Sequence, residues 1–194
     1  MYYIKARIIT DSRKVVHMLI IIDLIVFLIL YRFIFYKRWS TESRSKLILK
    51  TIMFVYITLV LFATILPLDV TLSTNNYFLN SINLEPFIDY KMQYGGALRQ
   101  IILNIIMFIP FGFLLPQVSK RRFIGVMIFS LMFTLSIECT QLLKTYVSFS
   151  GRIFDVTDMI TNFTGGVIGY ILYAILRPLI NKVHSSISKL YISN

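Results

Sequence analysis

The residues with the most chemical potential gather in the second half of the chain: Asn104, Glu138, Gln141, Arg152, Asp155, Asp158 and Asn162. Glu138 and Gln141 are three residues apart, a spacing that puts both side chains on one face of a helix, and Thr134 and Thr145 extend that stripe. Asp158 and Asn162 are four apart, and Gly165, Gly166 and Gly169 continue their line. Gly151, Arg152 and Asp155 stand between Gln141 and Asp158, so chain connectivity alone brings these groups to one end of the helices that carry them. Glu138, Asp155 and Asp158 offer hard oxygen donors of the kind that hold Mg²⁺ against a phosphate, with Arg152 to support the anion.

The same residues have structural uses. Asp155 and Asp158 fit the start of a helix, where orphan amides and the dipole favour carboxylates, and Arg152 fits as their partner. Glu138 can bond Asn104 or Arg99 across helices. The glycines suit close helix approach. Nucleophilic hydrolysis has little support, because the two histidines, His17 and His184, are far along the chain from the polar group. Asp23 lies inside an apolar run with His17 nearly two turns away; pairing with Lys50 or a polar neighbour is the expectation, and a proton relay the alternative. Pro110 and Gly112 are expected to bend or break their helix. Asn162-Phe163-Thr164 matches a glycosylation acceptor, but within an apolar span the match carries no meaning.

These groups need elements to hold them, and the composition says what kind. Hydrophobic residues make up 57% of the 194 and charged residues 15%, against roughly 25% in soluble domains. Five stretches are long and apolar enough to cross a bilayer as helices: about Val15 to Tyr36, Leu47 to Leu68, Arg99 to Pro116, Phe123 to Leu143 and Asp158 to Leu176. The fold class is therefore an all-α polytopic membrane bundle. The first stretch follows a basic segment like a signal peptide, but Asp23 interrupts it and Lys37-Arg38 follows where a cleavage site should lie, so it reads as an uncleaved helix. Asp69 to Leu98 is polar, aromatic and too broken to cross. No internal repeat suggests an inverted-repeat transporter.

The net charge of +11 is spread in short clusters between apolar segments, which argues for topology signals and lipid headgroups and against nucleic acid. Cys139 is the single cysteine, so no intramolecular disulfide forms and no cysteine-based metal site exists. Lys37, Arg38, Arg44 and Lys46, the Lys120-Arg121-Arg122 turn, and Arg177, Lys182 and Lys189 fall on one side of five spans, which is expected to be cytoplasmic. That puts the N-terminus outside and the C-terminus inside, against the pull of Lys5, Arg7, Arg13 and Lys14. Three regions follow: residues 1–46, a first helix with its basic connection; 47–176, a four-helix membrane domain; and 177–194, a basic cytoplasmic tail.

The ordered set of Asn83-Leu84-Glu85-Pro86-Phe87, Asn104 through Pro110-Phe111-Gly112-Phe113, Ser136-Ile137-Glu138 with Gln141, Gly151-Arg152 with Phe154-Asp155, then Asp158, Asn162 and Gly165 to Gly169, resembles the VanZ family. The resemblance covers approximately Leu47 to Leu176. It implies a protein of the bacterial cytoplasmic membrane and an association with low-level resistance to teicoplanin, a lipid-tailed glycopeptide, without assigning a reaction to any residue. The leading expectation is reduced glycopeptide susceptibility through action at the outer face, with Asn104, Glu138, Gln141, Arg152, Asp155, Asp158 and Asn162 binding a membrane lipid, a cell-wall precursor or the lipoglycopeptide. The rivals are a divalent-metal enzyme acting on a lipid-linked phosphate or headgroup, with Glu138, Asp155 and Asp158 as catalytic candidates, and a non-catalytic scaffold.

Overall fold

Five helices in the computed structural model are long and apolar enough to cross a bilayer, spanning Lys14–Trp39, Arg44–Thr64, Ala97–Ser119, Phe123–Tyr146 and Val156–Lys182. The structure describes the backbone of residues 2–66, 82–147 and 154–192, and side chains for 14–66, 82–146 and 154–182. A helix is the element that satisfies every backbone amide without water, so these apolar runs have no alternative.

The first span comprises α1 (Tyr2–Leu30), a π-helical turn (Tyr31–Tyr36) and α2 (Lys37–Trp39). It leans on α3 (Arg44–Thr64) through aromatic rings: Phe27 meets Phe54 and Phe62, and Tyr31 and Phe35 also meet Phe54. The Tyr31 hydroxyl and Thr51 Oγ1 are 2.8 Å apart, which fixes the level at which the two helices run past each other. The expected pairing of Asp23 with Lys50 does not occur. Lys50 forms an ion pair with Glu42 instead. The reason is axial: Asp23 precedes Tyr31 by two turns, and at 1.5 Å per residue it lies roughly 12 Å along the helix from the level of Thr51. Asp23 Oδ2 is buried with no hydrogen-bond partner among the described residues.

The remaining spans, α5 (Ala97–Ser119), α6 (Phe123–Val147) and α7 (Val156–Ile192), form the packed core with α3. Phe108, Phe111 and Phe133 stack at its centre, with Val126, Ile137 and Val60 fully or almost fully buried. The tightest seam joins α5 to α7. A Cβ added to Gly112 would lie 2.0 Å from the Gly166 carbonyl oxygen, and one added to Gly169 would lie 2.0 Å from that of Ile109. These glycines are where two backbones touch, as the glycine line in the sequence suggests.

α5 runs unbroken through Pro110 and Pro116. A proline in a helix removes a donor, and neighbouring groups in a bundle can compensate. The Tyr56 hydroxyl of α3 donates to the Met107 carbonyl at 2.8 Å, tying α3 to α5 one turn before Pro110. α7 likewise passes through Pro178 and continues helically to Ile192, so the basic segment after Arg177 extends the fifth helix.

The connections at one end fold back over the bundle. β1 (Ile82–Asn83) pairs in parallel with β2 (Phe154–Asp155), aligning Ile82 with Phe154 and Asn83 with Asp155. A short helix, α4 (Ile88–Lys91), follows β1 and leads into α5.

Candidate functional site

The α3, α5, α6 and α7 helices, with Asp89 and Asp155 from the segments at the β1–β2 end, line an open chamber of about 770 Å³. That falls within the range of roughly 300–1,000 Å³ usual for small-molecule sites. Ala63, Leu103, Ile106, Met107 and Ile137 give it an apolar wall. Asp89, Gln100, Asn104, Glu138, Gln141, Asp155, Asp158 and Asn162 give it a polar one. Six of the seven residues expected to form the site from sequence therefore line one cavity; the seventh, Arg152, and its neighbour Gly151 lie outside the described residues.

Asp155 joins three elements. It stands directly before α7, and its Oδ1 accepts the Thr157 amide at 2.7 Å, an N-cap bond that satisfies an otherwise orphan donor. Its Oδ2 accepts from Asn83 Nδ2 at 3.2 Å, and its own amide donates to Glu138 Oε2 at 3.2 Å. One residue thus ties α7, the β1 connection and α6 together. Glu138 is 1% exposed, so its carboxylate reaches the chamber from a buried position.

Asp158, one turn into α7, accepts Asn104 Nδ2 at 2.7 Å and Gln100 Nε2 at 3.3 Å. Asn104 therefore bonds to Asp158, and not to Glu138 as its level in the bundle first suggests. Asn162, a further turn along, donates from Nδ2 to Thr134 Oγ1 at 3.0 Å. Its Oδ1 is buried without a partner among the described residues, leaving an acceptor at the chamber's deep end. Gln141 Nε2 donates to the Thr64 carbonyl at 3.0 Å, and Lys144 Nζ to the Ile65 carbonyl at 3.0 Å. Both serve carbonyls at the C-terminal end of α3, where free carbonyls and the negative dipole end favour such donors.

The Asn83-Leu84-Glu85-Pro86-Phe87 stretch is a clamp on this site. Asn83 Oδ1 accepts the Glu85 amide at 3.1 Å, turning the chain. Phe87 has φ +60°, a left-handed conformation that costs a non-glycine residue about 1–3 kcal/mol and persists only when its surroundings fix it. Its amide donates to Thr157 Oγ1 at 2.9 Å, anchoring the strained residue to the first turn of α7.

Sequence reasoning missed Gln100, Asp89 and Thr157 as site residues. Gln100 precedes Asn104 by four residues, so helical spacing was the available signal. Asp89 and Thr157 carry no such signal, since their positions depend on how the connection folds back. Among the described residues, no three His, Cys, Asp or Glu side chains converge on a point where one ion would be held. What the lining offers is a set of carboxylate and amide oxygens and amide donors beside an apolar wall, suited to orienting a hydrogen-bonding head attached to a lipid-like body.

A bundle of five spans with a polar chamber at one end, beside the paired β1 and β2 segments, defines a class of small integral membrane protein. The chain belongs to the VanZ/LLP1 family, whose model matches residues 15–177 and so takes in the first span as well as the other four. It is 37% identical over 112 residues to Protein VanZ of Enterococcus faecium, an alignment covering 57% of this chain and 63% of that relative. The match thus spans a little under two thirds of the relative's length. No solved structure matches.

Proposed function

We propose that this protein lowers the susceptibility of a bacterial cell to teicoplanin-type lipid-tailed glycopeptides, acting through the chamber at the outer face of the cytoplasmic membrane. The observation that carries the reading is the chamber itself: six polar residues singled out by the family pattern line one cavity whose other wall is apolar. Family membership supports the resistance link, and the similarity to Protein VanZ of Enterococcus faecium supports it over the matched stretch. On this reading the C-terminus is cytoplasmic and the ligand is a membrane lipid, a lipid-linked wall precursor or the antibiotic, with its tail along the apolar wall.

The test is expression of Glu138→Ala and Asp158→Ala forms in a susceptible host, with teicoplanin susceptibility read at matched protein abundance. Both substitutions are expected to return susceptibility to that of cells without the gene. Undiminished protection by either variant would remove its residue from the site. A scaffold role for the polar network gives a different pattern, in which abundance or melting temperature falls while protection per molecule holds.

A further inference from the structure

At the opposite end of the bundle a second cavity of about 240 Å³ opens between the start of α3 and the end of α5. That is roughly eight waters' share of liquid volume, room for a polar headgroup. Lys46, Lys50 and Lys120 line it with Glu42 as the one acid among the described lining, and Leu49 and Val118 form the wall nearer the membrane. The charges do not cancel. Glu42 is taken by Lys50, whose ammonium also stands 5.7 Å from the centre of the Trp39 ring. Arg121 is turned away, its guanidinium lying 4.9 Å over the Phe129 ring. Lys46 and Lys120 are exposed and have no hydrogen-bond or ion-pair partner among the described residues. The Glu42 carboxyl is held below its ordinary value first by its hydrogen bond with Lys50, with smaller contributions from the charges of Lys50, Lys46 and Arg38.

We infer that this cavity binds a phosphate-bearing anion between Lys46 and Lys120, supplied either by the headgroup of an anionic phospholipid or by a soluble phosphate ester. Each lysine near a membrane surface contributes on the order of 1 kcal/mol to attraction for anionic headgroups, and basic pockets between helices are suited to them. A topology signal alone needs lysines on this side of the membrane. It does not need two of them facing one cavity with their counter-charge already spent elsewhere.

Trp39 is the single tryptophan and its ring lies beside Lys50, so its fluorescence reports on the cavity without a label. The full chain is placed in phosphatidylcholine nanodiscs, and phosphatidylglycerol is raised in one series while soluble glycerol 3-phosphate is titrated in another. A saturable change in the first series identifies the lipid as the source, and one in the second identifies the free ester; either supports the site. Lys46→Gln with Lys120→Gln is expected to weaken the midpoint about 30-fold, which is ~2 kcal/mol at 1.4 kcal/mol per tenfold. Lys91→Gln with Arg99→Gln, removing the same charge at the other end, is expected to leave it unchanged. Glu42→Gln frees Lys50 and is expected to tighten binding about fivefold, a gain that misfolding would not produce. The inference is overturned if neither series saturates, if the Lys46/Lys120 double variant titrates like the parent, or if the Lys91/Arg99 control weakens binding as much.

Discussion

Asp155 bonds to the Thr157 amide, to Asn83 and, through its own amide, to Glu138, so its contribution divides into a cap and a clamp. Asp155→Ala removes the cap and the Asn83 bond but keeps the backbone amide to Glu138, and is expected to cost about 1–2 kcal/mol, the upper part of the range for a lost N-cap. Asp155→Asn keeps a capping oxygen and is expected to cost less than half of that; melting in detergent compares them. The capping role was legible in the sequence, because an aspartate next to an apolar run is a helix-start signal. Its bond to Asn83 was not, since 72 residues separate the two and only the fold-back of β1 brings them together. Glu42 offers a pH test at the same scale. Its folded-state pKa is depressed below the ordinary carboxylate value of 4.5, first by its hydrogen bond with Lys50. A depressed carboxyl adds stability that is present above its unfolded pKa and lost as pH falls through the folded one. The difference in melting temperature between the parent and Glu42→Gln is therefore expected to shrink as pH drops below 4.5 and to vanish in stronger acid.

Among elements, the α5–α7 seam is the least forgiving. A Cβ at Gly112, Gly165 or Gly169 would come within 2.0 to 2.2 Å of a backbone carbonyl oxygen, and backbone has no rotamer to retreat into. Gly169→Ala is expected to force the helices apart, dropping folded yield several-fold in a fluorescence-detected size-exclusion assay. Gly125→Ala is the contrast: its nearest neighbour is the flexible Arg121 side chain at 3.3 Å, and yield is expected to hold. The glycines announced close packing from their spacing alone, yet spacing does not name the partner helix. The unbroken course of α5 through Pro110 was also beyond sequence reading, because whether a proline breaks a membrane helix depends on how its neighbours pack around it.

For the whole molecule, five spans put the chamber and the N-terminus on one side and the Lys46–Lys120 cavity on the other. Gly151→Cys in a Cys139→Ser background tests which side is outside. The background change removes Cys139, the single other thiol, so that labelling reports on residue 151 alone. With the chamber outward, a membrane-impermeant maleimide is expected to label intact cells at residue 151 without permeabilisation. Labelling only after permeabilisation would invert the orientation and detach the chamber from any antibiotic acting outside the cell.

The sequence by itself determined the five helices, since hydrocarbon admits little else for long apolar runs, and it determined which end gathers the polar residues, since short connections leave Glu138, Asp155 and Asp158 nowhere else to go. Periodicity also set which residues share a face, as with Asp158 and Asn162. Tertiary structure alone decided the pairings: Asn104 with Asp158, Asn83 with Asp155, and Lys50 with Glu42 in place of Asp23. Those depend on the axial offset and rotation of one helix against another, which packing of glycines and aromatic rings sets, and which no spacing along a single chain encodes.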